Sequence, residues 1–235
     1  GHVHLDALDT VPDLAVICTP PAPVPDIIAR LGAIGTRAAV VITAGLTAAQ
    51  KQAMLNAARP SLLRILGPNC LGLLSPHIGA AAGDIAVVSQ SGALMTALLD
   101  WAAARNIGFS HFVSLGESAD VDFGDLLDWL ASDARTHSIL MYVESVTAPR
   151  KFMSAARAAA RNKPVILVKA GRSDAGQLAA RSHTGALAGS DLVYDAAISR
   201  ADMLRVDTLM ELFLAAETLA RFRGRMPAAD SGGRL

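Results

Sequence analysis

The sequence predicts an α/β fold made of two consecutive parallel-sheet domains, Rossmann/flavodoxin-like, with the first domain N-terminally incomplete. Three observations carry this. Short apolar runs rich in Val and Ile alternate with stretches whose apolar residues recur at helical spacing, the alternation occurs twice, and a turn-rich link separates the two series. Strands that alternate with helices pair in parallel through right-handed crossovers, and ligands of such sheets gather at the carboxyl ends of the strands.

Residues 13–18, Asp-Leu-Ala-Val-Ile-Cys, read as a buried strand that Thr19-Pro20-Pro21 ends, because proline cannot continue a central strand. Pro25 opens a helix carrying Ile27, Ile28, Leu31 and Ile34, and Gly32 and Gly35 loosen its end. A strand over 38–43, a helix over 47–58 and a strand over 62–66 follow, closed by Gly67-Pro68-Asn69-Cys70. The loops at 19–21, 43–45 and 68–70 therefore converge at one sheet edge. A nucleotide-binding unit of this kind opens with a strand and a glycine-rich turn, and residues 1–12 hold neither, so the sequence is expected to begin inside a domain.

Residues 71–83 show turn residues without periodicity and mark the boundary. A strand over 84–88 then leads through Ser89, Gln90, Ser91 and Gly92 into a helix with Leu94, Leu98, Trp101 and Ala102. Free amides at a helix start, with two hydroxyls beside them, suit a phosphate; a plain serine N-cap would account for the same residues. A strand over 112–116 precedes a helix over 123–131, whose start carries Asp122 and Asp125 in keeping with the helix dipole. The strand over 138–143 delivers Glu144 to the carboxyl edge, where a carboxylate can orient a histidine ring or simply be solvated. A helix over 148–161, a strand over 164–169, a helix over 190–199, a strand over 204–206 and a helix over 208–222 complete the series. Gly171 and Gly176 have P-loop spacing, but Gln177-Leu178 stands where Lys and Ser or Thr are needed, so that match fails.

Composition narrows the function. The 235 residues are 52% hydrophobic, enough for a folded core. Twenty-one basic residues balance twenty-one acidic ones, so no overall field draws the chain to nucleic acid or to an anionic membrane, and a phosphate must be held locally. No apolar run is long enough to span a bilayer and no leader is visible. Cys18 and Cys70, each at a strand end, are expected to be small buried residues in a reducing, cytoplasmic setting. His2 and His4 lack a third ligand, so no metal site is expected.

The stretch Arg181-Ser-His-Thr-Gly-Ala-Leu-Ala-Gly189 sets His183 among small residues. Gly185 and Gly189 let a bulky anion approach the ring, and an imidazole with an ordinary pKa of about 6.5 is partly neutral near pH 7 and can act as a nucleophile. A surface turn with an idle histidine fits the local sequence equally well.

Taken together, these motifs resemble the NDP-forming acyl-CoA synthetases, the superfamily of the succinyl-CoA synthetase alpha subunit and ADP-forming acetyl-CoA synthetase. The carriers, in order, are Asp13-Leu-Ala-Val-Ile with Thr19-Pro20, Gly67-Pro-Asn-Cys-Leu-Gly72, Val88-Ser-Gln-Ser-Gly92, Ser114-Leu-Gly-Glu-Ser-Ala-Asp-Val121, Glu144, Lys169-Ala-Gly-Arg172 and Ser182-His-Thr-Gly-Ala-Leu-Ala-Gly189. The resemblance implies a partial CoA-binding domain over 1–76, a succinyl-CoA synthetase-like flavodoxin-fold domain over 77–225, and a tail or linker over 226–235. It implies that His183 carries a phosphoryl group, that Glu144 supports the ring, and that Ser89, Gln90, Ser91, Gly92 and Gly185 hold the phosphoryl oxygens. Thr19, Pro20, Ile42, Thr43 and Asn69 become the CoA contacts. The cofactors implied are CoA, and ATP/ADP with Mg handled by an ATP-grasp domain or subunit outside these residues; the substrates are acetyl- or acyl-CoA and a small carboxylic acid.

A narrower likeness lies in Leu99-Asp-Trp-Ala-Ala-Ala-Arg-Asn-Ile-Gly-Phe109, Leu127-Asp-Trp-Leu-Ala131 and Arg157-Ala-Ala-Ala-Arg-Asn-Lys-Pro164, which look like the synthetase-like half of bacterial GNAT-fused protein lysine acetyltransferases. Two expectations follow: a ligase piece that couples ATP to acyl-CoA formation, and, as the alternative, an acetyl-CoA-sensing module that regulates an attached GNAT domain. The resemblance also allows a homodimer.

Overall fold

The computed structural model describes residues 9–74, 82–171 and 191–222. Its first sheet arises from the three short apolar runs: β1 (Leu14–Ile17), β2 (Ala38–Val41) and β3 (Arg64–Leu66) lie side by side in that order, all parallel. Helices α1 (Val24–Ile34) and α2 (Ala48–Ala58) make the crossovers. Pro25 sits in the first turn of α1, where a missing N–H costs nothing, and Gly35 ends the helix at φ 96°, an angle open to glycine. At the start of α2, Thr47 Oγ1 accepts from Gln50 N while Gln50 Oε1 accepts from Thr47 N. Ile28, Leu31 and Met54 from the helices pack against Ile17, Val41 and Ile65 from the strands, each stabilising the unit by about 1.5–3 kcal/mol.

Cys18 follows the edge strand β1 on the side of the exposed Leu14 and Val16, away from the helices, and is itself exposed. That corrects the expectation of two buried cysteines. Cys70 is buried, and burial pushes its thiol up. Iodoacetamide at neutral pH is therefore expected to modify Cys18 and spare Cys70 in the folded chain; equal modification of Cys70, read by peptide mass, contradicts this placement.

The second sheet contains β4 (Gly72–Leu74), β5 (Ala82–Ser89), β6 (Phe109–Ser114), β7 (Ser138–Val143), β8 (Val165–Lys169) and β9 (Leu204–Val206), in the order β4-β6-β5-β7-β8-β9. All neighbours are parallel except β4, which runs antiparallel to β6. Strand β4 corrects the reading of 71–83 as an unstructured link: three residues are too few to display a period. Strand β6 starts at Phe109, earlier than its apolar pattern suggests. Ser110 and His111 break that pattern yet are buried, because Ser110 Oγ lies 2.8 Å from Thr136 Oγ1 and His111 Nε2 lies 2.9 Å from Asp133 Oδ2.

Helices cover both faces. On one side α3 (Gly92–Ala103) and α7 (Leu209–Arg221) bury Met95, Leu98 and Leu212 against Val87, Leu140 and Val168. On the other α4 (Phe123–Ser132), α5 (Pro149–Ala160) and α6 (Asp191–Arg200) bury Leu127, Leu130, Ala156 and Ile198 against Val88, Met141 and Leu167. The aspartates at the start of α4 form a reciprocal cap, and both bond Lys151, at 3.0 Å from Asp122 and 2.6 Å from Asp125.

The two sheets meet along a hydrogen-bonded seam. The amides of Glu117, Ala119 and Val121 donate to the carbonyls of Pro68, Gly67 and Ile65 at 2.9, 3.0 and 3.1 Å. Ion pairs Lys51–Glu117 at 2.8 Å and Arg64–Asp120 at 3.0 Å lie along it. Among the described residues no helix is long and apolar enough to cross a membrane, and no group of three His, Cys, Asp or Glu is placed to hold a metal ion.

Candidate functional site

Strand β5 is where the second sheet reverses its order: β6 lies on one side of it and β7 on the other. The loops leaving β5 and β7 therefore part in opposite directions and leave a crevice between them, the usual ligand position in such a sheet. Helix α3 begins in this crevice. Ser91 caps it, its Oγ accepting from Leu94 N at 3.3 Å, and Ser89 Oγ accepts from Ser91 N at 3.0 Å and donates to Ser91 O at 2.9 Å. Both hydroxyls thus build the turn. The first-turn amides of Gly92 and Ala93 have no acceptor among the described residues, so they are the donors left to an anion, helped by the positive end of the helix dipole. A Cβ at Gly92 would lie 2.9 Å from Cγ of Leu71, an exposed side chain that would have to turn aside.

Gln90 ties the two loops together. Its Oε1 accepts from Glu144 N at 2.7 Å and from Ser145 N at 3.0 Å, so this acceptor serves the backbone across 54 residues of sequence. Replacing Gln90 with Leu leaves two amides without that acceptor, at a cost of about 1–3 kcal/mol. The expected result is faster hydrogen exchange at the Glu144 and Ser145 amides, with α3 still protected; unchanged exchange at both contradicts the clamp.

Glu144, half-buried, stands one residue past β7. Burial and the Glu144 carboxylate together push the Tyr142 phenol up. Lys169, the last residue of β8, pairs in register with Val143 and is only 5% exposed. Burial holds its ammonium below the usual lysine range, Arg205 adds to this, and Asp191 and Glu144 oppose it. Lys169 Nζ lies 4.6 Å from the centre of the Tyr194 ring and donates to Ala170 O. Tyr194 Oη accepts from Val146 N at 3.3 Å, so α6 pins the loop that carries Glu144 from the side opposite Gln90. Sequence reasoning missed these roles for Lys169 and Tyr194. A lysine closing the apolar run Val165-Ile-Leu-Val was the available signal.

The candidate CoA residues come together at the carboxyl edge of the first sheet. Thr43 Oγ1 donates to Thr19 O at 2.7 Å, and Asn69 N donates to Thr43 O at 3.0 Å, linking all three loops. Asn69 is exposed at φ 57°, Pro20 is exposed, and Thr19 and Ile42 are half-buried. His183 and Gly185 lie outside the described residues, as do His2 and His4.

Residues 82–219 match the model of the succinyl-CoA ligase-like flavodoxin domain, and residues 2–76 match that of a CoA binding domain. The chain belongs to the succinyl-CoA ligase-like flavodoxin domain family. Among relatives of this family, an ADP-forming acetate–CoA ligase of Methanocaldococcus jannaschii is 39% identical over 88% of this chain and 31% of that protein. The alpha subunit of ADP-forming acetate–CoA ligase I of Pyrococcus furiosus is 40% identical over 88% of this chain and 48% of that subunit. The solved acetyl-coenzyme A synthetase 1 of Ca. Korarchaeum cryptofilum, in complex with phosphate and ADP, superposes with a TM-score of 0.87 at 33% identity, covering 92% of this chain and 50% of that one. The chain thus spans half or less of the length of these family relatives.

Proposed function

We propose that this chain is the CoA-binding and phosphohistidine-bearing part of an ADP-forming acyl-CoA synthetase acting on acetate or a similarly small acid. The net reaction joins a carboxylic acid to CoA as a thioester while ATP becomes ADP and phosphate. His183 receives the phosphoryl group from ATP with release of ADP and passes it to the acid as an acyl phosphate; the CoA sulfur then attacks the acyl carbon and phosphate leaves. Phosphoryl transfer asks the protein mainly for placement and charge neutralisation.

The observation that carries this reading is the crevice between β5 and β7, where the Gly92 and Ala93 amides of α3, without an acceptor among the described residues, stand by the Gln90 side chain that clamps the loop bearing Glu144. In this reading the Gly92 end of α3 and Gly185 hold the phosphoryl oxygens, Ser89 and Ser91 shape the turn, and Glu144 orients and stabilises the His183 ring. Thr19, Pro20, Ile42, Thr43 and Asn69 contact CoA, and the units are 1–76 and 77–225 with 226–235 as a linker. ATP/ADP and its Mg are handled by an ATP-grasp domain or subunit, in keeping with relatives named as ADP-forming ligases and as an alpha subunit. The GNAT-linked sensing reading gains no support from those relatives.

The full-length protein, incubated with its nucleotide-binding partner and ATP labelled at the γ-phosphoryl, is expected to take up acid-labile label on the peptide containing His183. His183→Ala is expected to take up none. Undiminished labelling of that variant overturns the reading.

A further inference from the structure

Three consecutive amides in the loop leaving β7 are held by side chains of two other elements. Gln90 Oε1 accepts from Glu144 N and Ser145 N, and Tyr194 Oη accepts from Val146 N at 3.3 Å. Among the described residues none of the three meets a backbone carbonyl. The path of the loop around Glu144 is therefore set by where Gln90 and Tyr194 stand. Gln90 belongs to the crevice itself. Tyr194 comes from elsewhere: it lies one turn into α6, the helix into which the His183 stretch runs.

Packing accounts for the Tyr194 ring but not for its two polar contacts. The ring lies against the core cluster that contains Val143 and Ile198, where a phenylalanine or a leucine would serve as well. Its hydroxyl reaches the Val146 amide, and its face receives Lys169 Nζ at 4.6 Å from the ring centre. Lys169 ends the apolar run of β8, is 5% exposed and also donates to Ala170 O. An apolar residue at that position would avoid the cost of burying an ammonium, and the ring face offsets part of that cost.

The helix that carries Tyr194 is itself tied down. Arg205 of β9, with a side chain only 9% exposed, bonds Asp191 at 2.5 Å and Asp195 at 3.2 Å, one on each side of Tyr194 along α6. Two charged bonds from one guanidinium keep the start of the helix from turning, which fixes where the Tyr194 hydroxyl stands. We propose that Tyr194, braced by Lys169 and by the Arg205 pairs, is a positioning residue that sets the placement of Glu144 relative to the helix following the His183 stretch. Its part in phosphoryl transfer rests on the function proposed above; its hold on the Val146 amide does not. Without the hydroxyl the Val146 amide loses its acceptor, and the loop keeps only the amide bonds on the Gln90 side.

Tyr194→Phe removes the hydroxyl and keeps a ring for Lys169. In this variant the Val146 amide is expected to exchange about fivefold faster, with the Glu144 and Ser145 amides still protected through Gln90. In the full-length protein with its nucleotide-binding partner, kcat and the rate at which His183 takes up label from ATP are expected to fall about tenfold, with KM for CoA unchanged. A double-mutant cycle separates positioning from lost packing. Glu144→Gln alone slows labelling, and adding Tyr194→Phe to it is expected to slow labelling no further, because Tyr194 acts through Glu144. Lys169→Met is expected to give a smaller loss, about threefold, and if it fails to fold the cycle between Tyr194 and Glu144 decides alone. Labelling of Tyr194→Phe at the wild-type rate, or a loss that multiplies with that of Glu144→Gln, overturns the proposal and leaves the synthetase reading standing. Absence of His183 labelling in the wild type, with Val146 exchange still faster in Tyr194→Phe, rejects the synthetase reading and keeps the strut.

Discussion

Replacing Gly116 with alanine lowers the stability of the folded chain by about 3–4 kcal/mol. Gly116 follows β6 at φ 57°, and a Cβ added there would lie 2.3 Å from both the Pro68 and the Asn69 carbonyl oxygens. Those oxygens are backbone and cannot rotate aside as a side chain would. The two loops must move apart, which strains the seam bonds from Glu117 to Pro68 and from Ala119 to Gly67, each worth roughly 1 kcal/mol, on top of about 1–2 kcal/mol for the left-handed angle. Gly45 provides the control. Its φ is 79° but nothing lies within 4 Å of a built Cβ, so Gly45→Ala loses the angle term alone. Urea midpoints at pH 7 for both variants measure the difference; equal losses would mean that the close approach contributes nothing. Because the same movement displaces Asn69, Gly116→Ala is also expected, on the function proposed above, to weaken CoA binding.

The contrast between these glycines also separates what was legible in the sequence from what was not. Period and punctuation were enough for the strands 14–17, 138–143 and 204–206 and for the helix from 123, since burial on one or both faces leaves its mark on neighbouring residues. Topology then brought the loops of Thr19, Thr43 and Asn69 to one edge before any coordinate was known. Partners are another matter. Nothing near Gln90 announces that its Oε1 bonds amides 54 and 55 positions later, and nothing near Gly116 announces the Pro68 and Asn69 carbonyls. A glycine required by its angle and a glycine required by a neighbour look alike in a string of letters. Strand β4 was missed for brevity, and the start of β6 because Ser110 and His111 mimic a surface segment while bonding Thr136 and Asp133 inside. The run from Ser182 to Gly189 gave the strongest chemical signal in the sequence, through composition and through resemblance rather than through packing.

The buried pair behind that misread start of β6 yields a pH dependence. His111 is 3% exposed, and its Nε2 faces both Asp133 Oδ2 at 2.9 Å and Arg135 Nη2 at 3.3 Å. One ring nitrogen cannot donate to the carboxylate and accept from the guanidinium at once. The shorter contact puts the proton on Nε2, donating to Asp133, with Arg135 acting through its charge. Thr136 Oγ1 donates to the same carboxylate oxygen at 2.8 Å. Burial alone would raise the Asp133 carboxyl, but the bonds from Thr136 and His111, the His111 charge and the Arg135 amide outweigh it and bring it from 3.8 to about 2. A carboxyl that is more acidic in the folded chain contributes stability that is fully present above pH 4 and disappears as pH falls toward 2, here roughly 2 kcal/mol. Asp133→Asn lacks that contribution at every pH and leaves the His111 N–H facing a neutral amide. Chemical denaturation of both proteins at pH 7, 4 and 2.5 is therefore expected to show the variant weaker by about 2–3 kcal/mol at neutral pH, with the gap closing between pH 4 and 2 as the wild type loses what the variant never had. A gap that stays constant down to pH 2.5 would mean that the carboxylate is not held in its charged form by these neighbours, and that the substituted amide is penalised only through its shape.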